Sequence, residues 1–363
     1  MILFVIFLVV LIILAQYFLS KDCLKYVKED LYPEEKVAEP GQVFYLHISL
    51  TNTGRRYLPY IRATLYLPKE IVPQDLTHCQ KGIEEGGSST IAYSTWLRPK
   101  QKVEFRVPVV IQERGRYVLN PLMVYGGDFL GFTEQLRRLE RFNEIVVGPK
   151  EAPEQNIEAE LGGFLGEISV NRFLYDDPIL TVGYREYTGR EPMKMISWTQ
   201  SARGHGLMVK NCDYTAEPRV SVLVNVETRN GLKHDELENC YSLARTVCRL
   251  LEDKRIPYDM TTNAATAGGW DTQDGLAIPQ GLGAVHFSKV LELLGRATYT
   301  PRLSQTSYLD KAIESKTSCS RILITPDSGV PKSQDLFRLR EASGGSLLVL
   351  TPRMLTEEEA KAV

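Results

Sequence analysis

Apolar positions change their spacing along the chain, and each change marks a different kind of element. Met1 to Leu19 is a run of nineteen residues with no charged side chain and only Gln16 as a strongly polar one. Such a run is long enough for one bilayer crossing, so a transmembrane helix is expected over 1–20. From 33 to 148 the pattern becomes short β-branched and aromatic runs at 44–50, 61–67, 91–97, 103–111, 117–125 and 144–147, punctuated by Gly, Pro and Asn. That texture predicts an antiparallel β-sandwich. Val103, Phe105, Val107 and Val109 share one face of their run while Glu104 and Arg106 take the other, as in a half-buried strand. Pro108 cannot donate to a ladder, which predicts an edge position.

Beyond about 167 the apolar runs are shorter and alternate with helical spacing. The runs 220–226, 258–262, 322–325 and 347–350 read as strands. Leu237, Tyr241, Ala244, Cys248 and Leu251 fall on one face of a helix, and 287–295, 308–315 and 335–342 also read as helical. Strands alternating with helices imply β-α-β units and a mostly parallel sheet. The segment 149–166 is acidic and glycine-containing and reads as a linker. The expected class is an α+β multidomain chain: transmembrane helix (1–20), β-sandwich (33–148), linker (149–166) and α/β domain (167–363).

Flanking charge sets an orientation. Lys21, Lys25 and Lys28 follow the apolar run and no Lys or Arg precedes it. The positive-inside rule then predicts a single-pass protein of the cell membrane, N-terminus outside and the large domains cytoplasmic. No small-residue cleavage site follows the run, which disfavours a secretory signal peptide. Six scattered cysteines suit reduced thiols. The chain carries 43 Lys and Arg against 45 Asp and Glu, a net charge of −2, so nucleic acid is not an expected partner.

Searches for catalytic chemistry return little. The five histidines lie far apart, and there is no P-loop, no G-x-S-x-G elbow and no H-E-x-x-H pair. Neither a cofactor nor an enzyme activity is expected. One stretch is dense in polar and aromatic residues, running from Gly183 through Arg185, Glu186, Tyr187, Glu191, Pro192, Trp198, Ser201 and Arg203. Pro192 after Glu191 resembles a helix start, with Met195, Ile196 and Trp198 then pointing to a core. Two readings stand. A structural clasp would bury Trp198, and a recognition surface would expose it.

At these residues the chain resembles domain of unknown function 58, a bacterial and archaeal family of membrane-anchored proteins. The resemblance rests on Arg185-Glu186-Tyr187, Pro192, Ile196-x-Trp198, Ser201-Ala202-Arg203 and Leu207-Met208-Val209-Lys210, together with Arg114-Gly115-Arg116-Tyr117 and Gly127-Asp128-Phe129-Leu130-Gly131-Phe132. Arg190-Glu191 stands where the family usually has Gly-Asp, and Met195 where it usually has Arg. The resemblance implies that the C-terminal part is similar to a von Willebrand factor A domain, a Rossmann-like α/β fold. Such domains often hold a divalent cation with D-x-S-x-S after the first strand. Here that position reads Asn225-Val226-Glu227-Thr228-Arg229, a degenerate metal site, with Asp327 after a later strand as another oxygen donor. The resemblance also implies a non-catalytic assembly factor, partner of a MoxR-type AAA+ ATPase. The alternatives are a divalent-metal-dependent ligand-binding A-type domain and a hydrolase with an unrecognised site.

Overall fold

The computed structural model describes residues 4, 6, 7, 10, 11, 24–74, 80–83, 88–127, 134–139, 142–174, 181–189, 191–203, 206–212, 219–228, 234–268, 276–314, 319–326, 333–343 and 346–353. The chain divides into two compact units. Unit 1 is Met1–Lys150 with Thr266–Gly269 and Leu291–Thr298, and unit 2 is Glu151–Ala265, Trp270–Val290 and Tyr299–Val363.

Unit 1 contains strands β1 (Val27–Pro33), β2 (Val37–Ala38), β3 (Val43–Asn52), β4 (Leu58–Leu67), β5 (Ile71–Pro73), β6 (Gln80–Ile83), β7 (Ser89–Leu97), β8 (Lys102–Ile111), β9 (Gly115–Leu119), β10 (Met123–Gly127), β11 (Glu134–Arg138) and β12 (Asn143–Val147). One sheet has the order β1-β3-β8-β5, a second β11-β10-β4-β7-β6, and a small third β2-β12-β9. Strand alternation supplies the core between the sheets. Leu46, Ile48 and Leu50 of β3 and Ile61, Ala63, Leu65 and Leu67 of β4 are fully buried in one cluster. The expected run 117–125 is two strands, β9 and β10, because Pro121 between them lacks a ladder N–H. Strand β8 pairs with β3 over most of its length but with β5 only over Val109–Ile111. Pro108 thus sits where the second ladder gives out, its carbonyl accepting the Gln74 N–H at 2.9 Å.

The Arg114-Gly115-Arg116-Tyr117 element also works within unit 1. Arg114 Nη1 donates to the carbonyls of Leu294 (2.6 Å) and Ala297 (2.5 Å), at the carboxyl end of a helix where a cation is favoured. Arg116 Nε donates to Glu144 Oε2 at 2.6 Å, and Arg296 pairs with the same carboxylate. Those two guanidiniums, Arg296 foremost, hold the Glu144 carboxyl below its usual range against the opposing effect of burial. From the Gly127–Phe132 element only Gly127 lies within the described residues.

Unit 2 begins with helix α1 (Glu154–Leu174). This corrects the expected linker over 149–166. Ile157, Leu161 and Phe164, at i, i+4 and i+7, are buried, and α1 packs on helix α3 (His234–Asp253), the four-residue α2 (Trp198–Ser201) lying between the two in the chain. The glycines that read as linker composition lie on the open side. A Cβ at Gly162, Gly163 or Gly166 would meet nothing within 4 Å, so they weaken the helix without breaking it. Helix α3 is buried well beyond one face because α1 covers a second. Arg245 pairs with Glu151 at 3.1 Å, and Thr246 Oγ1 accepts the Ala152 N–H at 2.9 Å. Cys240 and Cys248 are wholly buried on α3, which pushes both thiols up.

A ribbon of β13 (Thr181–Glu186) and β14 (Met208–Cys212) follows, then the main sheet. Its strands are β15 (Val220–Val224), β16 (Tyr258–Thr262), β18 (Leu276–Gly281), β20 (Ser320–Ile324) and β21 (Leu347–Leu350). The order is β18-β16-β15-β20-β21, with β15, β16, β20 and β21 parallel and β18 antiparallel at one edge. Short strands β17 (Ala264–Thr266) and β19 (Ala297–Pro301) pair separately. Helix α3 packs on one face of β15 and β20. On the other, Leu223 and Leu323 meet Tyr308 and Leu309 of α5 (Gln305–Glu314) and Leu339 of α6 (Ser333–Ala342). Helix α4 is Ala284–Arg296.

Two expectations are overturned. Among the described residues the structure is mostly β, 43% strand against 29% helix, rather than the expected α+β multidomain chain led by a transmembrane helix. Much of the excess comes from β13, β14, β17, β18 and β19, which lie outside the sandwich and outside the parallel ladders. Among the described residues no helix is long and apolar enough to cross a membrane. The long helices α1 and α3 carry acids throughout, Glu154, Glu158 and Glu160 in the first, whereas a span needs about 20 predominantly apolar residues. The expected single-pass placement, N-terminus outside and domains cytoplasmic, is therefore not supported. Of the segment 1–20, only Phe4, Ile6, Phe7, Val10 and Leu11 lie within the described residues; they are helical and exposed.

Candidate functional site

The motif residues Arg185, Glu186, Tyr187, Glu191, Pro192, Trp198, Ser201, Arg203 and Lys210 come together on the β13–β14 ribbon. Arg185 lies opposite Val209, Glu186 opposite Met208, and Lys210 opposite Tyr184. The Tyr187 N–H continues the ladder to Leu207 O at 2.8 Å. On the other side of β14, Ile196 forms an antiparallel bridge with Val209, and the Ser197 N–H donates to Met208 O at 2.8 Å. The ribbon is thereby a small three-stranded unit with β14 in the middle.

Its connecting segment is held by side chains. Arg185 Nη1 donates to Glu191 Oε1 at 2.6 Å. Thr188 gives its hydroxyl (2.9 Å) and its N–H (3.1 Å) to the same carboxylate. Gly189 between them takes a φ of +89°, a conformation that suits glycine. Burial acts to raise the Glu191 carboxyl, yet the donors outweigh it: the Thr188 hydroxyl, the backbone N–H groups of Glu191 and Thr188, and Arg185. Together they bring it from its ordinary 4.5 down to about 2. Pro192 precedes a single 3₁₀ turn, Met193–Met195, whose Met195 N–H returns to Pro192 O at 2.9 Å. Ser201 ties α2 to β14, donating to Ser197 O (2.8 Å) and accepting the Met208 N–H (2.9 Å). Its hydroxyl is thus committed to the backbone. Arg203 Nη1 donates to Gln200 Oε1 at 3.4 Å.

The expected helix carrying Met195, Ile196 and Trp198 inward is replaced by two separate turns. Ile196 and Val209 are buried, at 6% and 1% exposure, while Trp198 stands 64% exposed. The reason is local: Ile196 and Ser197 take extended backbone to pair with β14 and are both buried, and the extended run ends there, Trp198 opening the short turn α2 with its side chain outward. Met193 (73%), Leu207 and Tyr184 are exposed on the same segment. Thr188 was not among the candidate residues, although Thr188-x-x-Glu191 has the spacing at which a Glu reaches back to a Thr N–H, a signal the sequence carried.

Asn225, Glu227 and Thr228 lie elsewhere in unit 2, at the carboxyl end of β15. With β16 on one side and β20 on the other, this is the sheet's topological switch point, where α/β proteins place ligands. Asn225 is fully buried and its amide is spoken for. It donates to Thr325 Oγ1 (3.1 Å) and Glu227 O (3.3 Å), and accepts from Asn263 Nδ2 (2.7 Å) and the Glu227 N–H (3.2 Å). Asn263 Oδ1 in turn takes the Val226 N–H at 2.8 Å. Glu227 accepts the Gln305 N–H at the start of α5. This polar knot joins the ends of β15, β16 and β20 and leaves Asn225 no lone pair for a metal. Thr228 is half-buried, and Asp327 and Arg229 lie outside the described residues.

No protein-family model matches the sequence, and no curated protein matches it. Solved structures resemble about a third of the chain. A cohesin module from a Clostridium perfringens family 33 glycoside hydrolase is 12% identical, with 33% of this chain and 94% of that chain covered and a TM-score of 0.25. A type II cohesin domain from the cellulosome of Acetivibrio cellulolyticus is 8% identical, with 33% and 95% covered and a TM-score of 0.26. A CARDB domain from Pyrococcus furiosus, in complex with di-metal ions, is 14% identical, with 33% and 93% covered and a TM-score of 0.21.

Proposed function

We propose that this chain is a non-catalytic protein-interaction factor whose β13–β14 ribbon docks a partner, and that the partner is a MoxR-type AAA+ ATPase. One observation carries the reading: a bulky aromatic, Trp198, is held 64% exposed on a segment pinned at both ends by side-chain hydrogen bonds. Exposed Trp on a pre-organised scaffold is the common form of an interface anchor, because little conformational freedom remains to be lost on binding. The ATPase comes from the motif's resemblance to domain of unknown function 58. The non-catalytic part draws on Ser201, whose hydroxyl is occupied by the backbone. Capture of a purified MoxR-type ATPase by the immobilised full chain, in the presence of nucleotide, tests the reading. Stoichiometric capture supports it, and failure across nucleotide states overturns it.

A further inference from the structure

Unit 1 ends, where β1, β4 and β8 begin and β3 and β7 finish, in a corner built around one buried amide. Asn52 is 2% exposed. Its Nδ2 donates to Arg56 O (2.8 Å) and Arg98 O (3.1 Å), and its Oδ1 accepts the Gly54 N–H (2.9 Å). The Thr53 N–H and hydroxyl both donate to Tyr26 O, at 2.8 and 2.7 Å, and Lys100 Nζ donates to Thr53 O at 2.7 Å. Three segments, 24–28, 53–57 and 96–100, are thus tied together, and none contains an acid in a chain whose net charge is −2. They expose Tyr26, Tyr57 and Trp96 beside Lys25, Arg55, Arg56, Arg98 and Lys100. Tyr57 and Trp96 lie 6.0 Å apart, and the Arg98 guanidinium stands 5.2 Å from the Trp96 ring centre. On the adjoining strands Glu29 pairs with Arg137 and Glu104 with Lys102, both at 3.3 Å.

We infer that this corner docks an acidic segment of a partner protein, carboxylates on the cations and an apolar side chain on the Tyr57–Trp96 pair. Charge complementarity names the partner's sign, and the aromatic pair set among arginines matches the composition of protein interfaces. A protein segment fits better than nucleic acid, since 43 cations against 45 acids give the chain no basic excess. The surface is chemically distinct from the Trp198 ribbon and belongs to the other unit.

The test uses the full chain and a short fluorescein-labelled peptide of glutamates flanking a central leucine, read by anisotropy at low salt. Expected is saturable binding that weakens at least about tenfold in Arg98→Glu and in Trp96→Ala, fades as salt rises, and is unchanged in Trp198→Ala. Melting temperatures check that the variants fold, and Arg55→Glu carries the same test should Arg98→Glu not fold. No saturable binding, equal binding by these variants, or tighter binding of phosphatidylglycerol vesicles or single-stranded RNA than of the peptide would overturn the inference.

Discussion

Arg185 reaches six positions along the chain to place Nη1 2.6 Å from Glu191 Oε1, closing the first turn of the β13–β14 connection that later carries Trp198. The carboxylate that Arg185 grips is also the one Thr188 binds twice. The loop's order therefore depends on Glu191 being ionised. Its carboxyl titrates at about 2 when folded, against 4.5 unperturbed. A depressed carboxyl contributes order that is fully present above the unfolded value and is lost as pH falls through the folded one. Protection of the Thr188 amide, its exchange relative to an unstructured chain at the same pH, should accordingly stay high above pH 4.5 and fall toward pH 2. Glu191→Gln should show the fast exchange already at neutral pH while the global melting temperature hardly moves, because Arg185 is half exposed. Slow exchange in that variant would show that the carboxylate does not hold the loop.

The glycines of α1 give a second test. With open space around each added Cβ, Gly162→Ala, Gly163→Ala and Gly166→Ala should each stabilise the chain by about 0.5–1 kcal/mol, the usual difference between glycine and alanine inside a helix. Urea unfolding reads this as a higher midpoint at unchanged slope. A flexible linker at 154–166 would instead leave the midpoint where it was.

Asn225→Asp restores the acid of a D-x-S-x-S site and removes two buried N–H donors, those facing Thr325 and Glu227. The expected cost is about 1–3 kcal/mol in urea unfolding at neutral pH, the range for leaving buried polar groups unpaired. Excess magnesium should leave the wild-type melting temperature unchanged; a rise would point to a bound cation.

His286 supplies a pH test in a different window. Burial against Tyr258 holds this imidazole below its ordinary 6.5, and its Nε2 makes no hydrogen bond among the described residues. Below pH 6.5 the unfolded chain takes up a proton that the folded chain resists, so stability should fall as pH drops. His286→Phe should flatten that slope. An unchanged slope in the variant would assign it to other groups.

How much of this was legible in the chain varies with the range of the interactions. Strands β3, β4, β7, β8 and β12 and strands β15, β16, β20 and β21 were readable because apolar alternation and short buried runs are local signals, whereas β1, β2, β5, β6 and β11 carry no such run. Residues 149–166 misled because glutamates and glycines on the solvent side hid the Ile157, Leu161 and Phe164 spacing, and the face they cover belongs to α3. Trp198 misled for another reason. Helices of three or four residues carry no period, and the turn that sends Ile196 inward is set by pairing with Val209, thirteen positions away by number. The Arg114, Arg116, Glu144 and Arg296 cluster was out of reach, since Arg296 and Glu144 are 152 positions apart.

The exposed Trp198 is the point on which the account turns, and one paired measurement on Trp198→Ala tests it: melting temperature alongside affinity for a MoxR-type ATPase. A surface tryptophan predicts a stability change within about 0.5 kcal/mol and affinity lowered by about tenfold or more. Ile196→Ala, by contrast, should cost about 2–5 kcal/mol, as buried large-to-small changes do. A Trp198→Ala chain that loses about 3–5 kcal/mol of stability, or binds the ATPase as tightly as the wild type, would contradict the account.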